Sequence, residues 1–158
     1  MYKRIMIAYD GSESAKNALN YVEYMLPHRA HTELDIVAIS NYTVPTVPSW
    51  YGIGADFQPI DPETIVSVRD EHLKREQEQI VTELKDILDK FDDYQGEIKI
   101  EVLTQGLSIA DTLLDYATEN ECDLIVMGCR GLGALRGAIG SVSYAILRSA
   151  SMPVMVVK

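Results

Sequence analysis

The sequence predicts an α/β fold: an open five-stranded, mainly parallel sheet with helices on both faces. Three observations predict it. Short runs rich in Ile and Val alternate with longer segments of helical period, in the order β-α-β-α-β-α-β-α-β. Most of these runs are apolar throughout, as in strands buried on both faces, and the alternation implies right-handed crossovers. No internal repeat or shift of composition divides the 158 residues, so the expectation is a single domain over residues 1–158.

The elements follow in order. KRIMIAY (residues 3–9) is a β-forming run that ends at Asp10-Gly11-Ser12. Asp10 or Ser12 can cap the next helix, in which Ala15, Ala18, Leu19, Val22 and Leu26 recur at helical spacing up to Pro27. ELDIVAIS (33–40) reads as the second strand. Residues 41–62 are a long loop carrying Pro45, Pro48, Pro59 and Pro62; such a loop in a compact domain is a lid, an interface or a disordered segment. Its Trp50, Tyr51 and Phe57 suit a ligand or a partner equally. From about residue 63 to 91 the chain is charged and helical, and its E-H-L-K-R-E-Q-E-Q stretch is a solvated face with i,i+4 pairs. EIKIEVLT (97–104) alternates like a strand. Ser108 and Asp111 open a capped helix with Ile109, Leu113, Leu114 and Ala117 as its buried stripe. DLIVMG (123–128) is the fourth strand, a helix follows from about 141 to 149, and MPVMVV (152–157) is the fifth strand, with Pro153 near its start.

Composition narrows the function. Apolar residues at 47% and charged residues at 24% describe a folded, water-soluble domain. No apolar run reaches the roughly 18–20 residues of a membrane helix, and Asp10 interrupts the N-terminal run too early for a signal peptide. The expectation is a cytoplasmic protein. A net charge of −10 argues against nucleic acid or an anionic membrane as the main partner. Asp123 is the last acid. After it come Arg130, Arg136, Arg148 and Lys158, a net +4, which leaves −14 on residues 1–123. This positive segment suggests a local anion site, although buried strands and small-residue turns also leave little room for acids.

That segment holds GCRGLGALRGAIGS (128–141), with five of the chain's ten glycines. It is not a P-loop, because no lysine lies in it, and Arg136 stands where a dinucleotide fingerprint needs its third glycine. Glycines nevertheless let backbone N–H groups approach an anion, and Gly140-Ser141 opens a helix whose positive end favours phosphate. A Cβ at Gly131 or Gly140 is expected to block that approach or force a strained φ. Ser141 and Ser143 add hydroxyl donors. In parallel sheets ligands bind beyond the carboxyl ends of the strands, which singles out this loop and Asp10-Gly11-Ser12.

These residues resemble the universal stress protein family over essentially the whole chain. The resemblance rests on the opening strand with Asp10-Gly11-Ser12, on V-M-G-C-R-G-L-G (126–133) and G-S-V-S (140–143), and on MPVMVV. The family's nucleotide signature is G-x2-G-x9-G-[ST]. Gly128 and Gly131 match its first part and Gly140-Ser141 its last, with eight residues between Gly131 and Gly140 instead of nine. The chain resembles the family's ATP-binding subclass with a trimmed loop. The resemblance implies a Rossmann-like strand order 3-2-1-4-5 and ATP as ligand, with ADP or AMP as alternatives and Mg²⁺ arriving on the nucleotide. It implies that Ala8 and Asp10 meet adenosine, that Ile39 lines the adenine pocket, and that Met127 and Gly128 lie against adenine and ribose. Gly131, Gly140, Ser141, Val142 and Ser143 would hold the phosphates. It also implies a homodimer formed through residues 152–157, an apolar strand at the sheet edge.

Several roles stay open at this level. Asp10 serves the nucleotide or only caps a helix, and Arg130 and Arg136 pair with phosphate or are solvated. His28 and His31 lack a third metal ligand and read as solvent-facing. Cys122 and Cys129 lack the spacing of a zinc site and read as reduced thiols; Cys129 is a tolerated small residue or a redox sensor. The loop offers arginines but neither lysine nor acid, so the expectation is a nucleotide-binding regulatory protein with at most slow hydrolysis. The alternatives are a slow ATPase or phosphotransferase using Asp10, or a protein-interaction module without nucleotide.

Overall fold

The β-branched and aliphatic runs form five strands: β1 (Arg4–Tyr9), β2 (Glu33–Ser40), β3 (Ile98–Thr104), β4 (Leu124–Gly128) and β5 (Val154–Val157). The computed structural model describes residues 2–26, 31–40, 62–131 and 139–158. Every neighbouring pair is parallel, in the order β3-β2-β1-β4-β5. The expected strand order and α/β class are thus observed. β5 starts two residues later than expected. Residues 151 and 152 bend, and the ladder opens with Ile125 N–H donating to Pro153 O at 3.0 Å.

The helices are α1 (Glu13–Met25), α2 (Pro62–Glu83), α3 (Lys85–Leu88), α4 (Ile109–Glu119) and α5 (Ser141–Ser149), with a 3₁₀ turn at Asp89–Phe91. Two are capped as the sequence predicts. Ala15 N–H donates to Ser12 Oγ at 3.2 Å, and Asp111 N–H to Ser108 Oγ at 3.0 Å. The expected single helix to Phe91 is instead broken at Leu84. That residue is fully buried, with φ −92° and ψ 2°, and the break lets Ile87, Leu88 and Phe91 reach the same core.

The sheet is covered on both faces. Ile5, Ile7, Ile36, Leu124 and Val126 meet Ala15, Leu19 and Val22 of α1, with Leu84 and Phe91 beside them. On the other face Met6, Val37, Ile125 and Met127 meet Leu113 and Ala117 of α4 and Ile146 of α5. The chain runs outward from β1 to β3, then returns to lay β4 on the other side of β1. The loops leaving β1 and β4 therefore diverge at the carboxyl edge, and this switch point is where such sheets form a crevice.

Candidate functional site

β1 and β4 are adjacent, with Ala8 paired to Met127, so Asp10-Gly11-Ser12 and Gly128–Gly131 meet at one edge. Gly11 turns the chain from β1 into α1 at φ +80°, a left-handed conformation natural to glycine. Asp10 is exposed; its Oδ1 accepts the Ser12 N–H at 3.0 Å. Ser12, not Asp10, caps α1. The Asp10 carboxylate instead borders the glycine loop, where a Cβ on Gly131 would lie 2.8 Å from Oδ2. Gly128 is needed for close approach. A Cβ there would sit 2.7 Å from Ser14 C and 2.8 Å from Ala15 N, which would push α1 off the end of β4.

Two contacts tie the second half of the loop and the start of α5 to its first half, and a third ties that first half to the end of β5. Gly140 N–H donates to Cys129 O at 2.9 Å, Ser143 Oγ donates to Gly128 O at 2.9 Å, and Cys129 N–H donates to Val157 O at 2.7 Å. Residues 132–138 lie outside the described residues, and with them Arg136, Gly133 and Gly137; so do Pro27, His28, Trp50, Tyr51 and Phe57. α5 begins at Ser141 with Gly140 as an N-cap that has no side chain to offer. Its first intrahelical bond is Tyr144 N–H to Gly140 O, 2.9 Å. The N–H groups of Ser141, Val142 and Ser143 are thus beyond reach of any carbonyl of their own helix. No acid lies in this first turn and Arg148 lies in the last, so the helix dipole is left free to favour an anion.

Two expectations are corrected here. The Ser143 hydroxyl is buried and its proton goes to Gly128 O, so this side chain locks α5 to β4 rather than donating to a ligand. Backbone strain does not explain Gly140. Its φ is −61°, and a Cβ would make ordinary contacts at 3.5 Å with Arg130 Cα and Gly131 N. What a larger side chain would occupy is the space between the two halves of the loop. Ser141, by contrast, is exposed at the mouth.

Beside this polar edge lies an apolar rim. Ala8, Ile39 and Val142 are half-buried against the cluster that contains buried Met127. Leu103, register partner of Ile39, and Ile109 join them. Sequence reasoning missed these two, although the ends of neighbouring parallel strands must share this edge. It also missed Ser14, whose hydroxyl contacts the Arg130 peptide. Both cysteines are free and buried, and His31 is exposed. Across the sheet, burial first and then Glu83 push the Tyr9 phenol up, while Lys16 Nζ, 2.7 Å from Glu83 Oε1, holds that carboxyl below its ordinary range.

The sequence profile described as the Universal stress protein family matches residues 1–158. The chain belongs to the universal stress protein family. Its relatives include the universal stress protein MJ0531 of Methanocaldococcus jannaschii, 29% identical over 163 residues that cover all of this chain and 83% of the relative. Among solved structures, the protein MJ0577 superposes with a TM-score of 0.67 at 22% identity, covering 100% of this universal stress protein and 96% of the other chain. A universal stress protein from Archaeoglobus fulgidus, solved in complex with dAMP, matches with a TM-score of 0.57 and 22% identity, over 99% and 98% of the two chains. Among the described residues no helix is long and apolar enough to cross a membrane.

Proposed function

We propose that this universal stress protein binds an adenine nucleotide, ATP by preference, in the crevice between the ends of β1 and β4, and acts as a homodimeric regulatory protein. The observation that carries the reading is the uncapped start of α5, held by Gly140 N–H to Cys129 O against the turn that faces Asp10. The N–H groups of Gly131, Ser141, Val142 and Ser143, with the Ser141 hydroxyl, suit the phosphates, and Arg130 adds a cation. The rim of Ala8, Ile39, Met127 and Val142 suits the flat apolar faces of a base, and Asp10 suits a ribose. The donor set therefore fits a nucleotide, and the relative solved with dAMP supports the adenine part of the reading. Mg²⁺ would come with the phosphates. Among the described residues no three His, Cys, Asp or Glu side chains gather to hold a metal ion alone.

Calorimetry with ATP, ADP and AMP tests this. Gly140→Val is expected to abolish ATP binding without unfolding the protein, because its branched side chain fills the cradle. Ser141→Ala is expected to weaken binding about tenfold, the loss of one hydrogen bond to a charged acceptor. No acid follows Asp123 and no lysine lies in the loop, so phosphate release should stay well below the roughly 10 per second of an ordinary enzyme. Turnover at that rate, abolished by Asp10→Ala, makes the protein an enzyme. If none of the three nucleotides binds at millimolar concentration, the interaction-module reading replaces this one.

A further inference from the structure

The first turn of α1 does more than cap itself. The Ser14 hydroxyl hydrogen-bonds the Arg130 carbonyl and lies 3.4 Å from the Arg130 N–H, so one hydroxyl spans both ends of a single residue of the glycine loop. Ser12 Oγ contacts the same carbonyl at 3.2 Å, and the two hydroxyls are 3.2 Å apart. Their duties differ. Ser12 also accepts the Ala15 N–H as helix cap, whereas Ser14 bonds only to Arg130 and Ser12 among the described residues. The carbonyl they grip belongs to the peptide whose N–H is that of Gly131, the first donor after β4 and the one beside Asp10.

We propose that Ser14 is a positioning residue of the anion cradle: by holding Arg130 it aims the Gly131 N–H at the bound phosphates. A carbonyl that accepts two hydroxyls cannot rotate without breaking both bonds, and the N–H of the same peptide plane turns with it. The close fit that Gly128 permits brings Ser14 within reach of Arg130. The inference rests on the nucleotide reading, but its test separates the two.

Ser14→Ala removes one oxygen and leaves the Ser12 cap in place. NMR titration of wild type and variant with ATP and with adenosine, which has no phosphate, reads the phosphate contribution directly. ATP affinity is expected to fall about five- to tenfold, with adenosine affinity unchanged. Amide hydrogen exchange without ligand is expected to quicken at Arg130, whose N–H the Ser14 hydroxyl accepts, and to stay unchanged at Ile125 and Val126 in β4. Equal losses for ATP and adenosine, or unchanged exchange at Arg130, overturn the positioning role while nucleotide binding stands. A wild type that binds neither ligand overturns the nucleotide reading and the positioning role together.

Discussion

Asp35 shows how one buried side chain can set a pH dependence far from the candidate site. It lies within β2 at 4% exposure, and among the described residues neither its Oδ2 nor the buried Tyr116 hydroxyl facing the carboxyl makes a hydrogen bond of ordinary geometry. Arg4 of β1 brings Nε to 3.8 Å from the carboxylate but spends its hydrogen bonds on Glu33 and on Asn120 O. Lys99 and Glu101 of β3, Tyr116 of α4, and Cys122 and Asp123 before β4 complete the charged and titratable surroundings. Burial dominates and raises the Asp35 carboxyl above its ordinary 3.8, against the pull of Arg4, Tyr116 and Lys99. The same burial pushes the Cys122 thiol up to about 11. A raised native value means the folded state holds the proton more tightly. The resulting stability is fully present below 3.8 and is lost as pH rises through the native value. Asn resembles the neutral acid and does not titrate. Denaturation of Asp35→Asn and wild type from about pH 4 to about pH 7 should therefore show the variant gaining relative stability as pH rises. Parallel curves would mean that Arg4 compensates the buried charge fully.

Elements inherit their limits from such local terms, and the end of α4 is a clear case. Glu121 has φ 53°, a left-handed value unusual for a residue with a Cβ. Cys122 N–H reaches Ala117 O at 2.8 Å and Glu121 N–H reaches Thr118 O at 3.2 Å, the paired bonds of a Schellman turn in which glycine normally takes this position. Glu121 also adds negative charge at the negative end of the helix. Glu121→Gly relieves both, and thermal or urea melts should show stabilisation of about 1 kcal/mol. The sequence hid this turn because no glycine marks it. It hid the break at Leu84 for a related reason: the apolar period runs unbroken through a site where burial, not a breaker residue, bends the chain. The strands and the caps at Ser12 and Ser108 were legible, since strand composition and capping chemistry act locally. At the candidate site the residue types were legible from the glycines and serines. What sequence could not supply was which groups are spent inside the fold, as the Ser143 hydroxyl is on Gly128 and the Ser14 hydroxyl is on Arg130.

At the scale of the whole molecule, the two edges of the sheet differ. The β3 edge carries Lys99 and Glu101, joined in an ion pair, the kind of charge that discourages pairing with another chain. β5 carries no charge from Val154 to Val157, and all four residues are only half-buried. Its inner side is fixed: the carbonyls of Pro153 and Val157 accept from Ile125 of β4 and from Cys129 just beyond it. By strand alternation the backbone groups of Val154 and Val156 then face the open edge, where a second β5 across a two-fold axis can pair antiparallel and cover the apolar strip. This asymmetry supports β5 as the dimer edge of the proposed homodimer. Val156→Pro removes one outward N–H per chain and keeps the bonds to β4, a substitution an edge strand tolerates. Two lost hydrogen bonds per dimer should weaken association at least about tenfold. Val156→Lys should weaken it as well, by forcing two cations together across the axis. Sedimentation at micromolar concentration, with thermal melts to confirm that each variant folds, reads both effects. A wild type that sediments only as monomer, or a Val156→Pro dimer as tight as wild type, would leave β5 an ordinary edge and place any self-association on another surface.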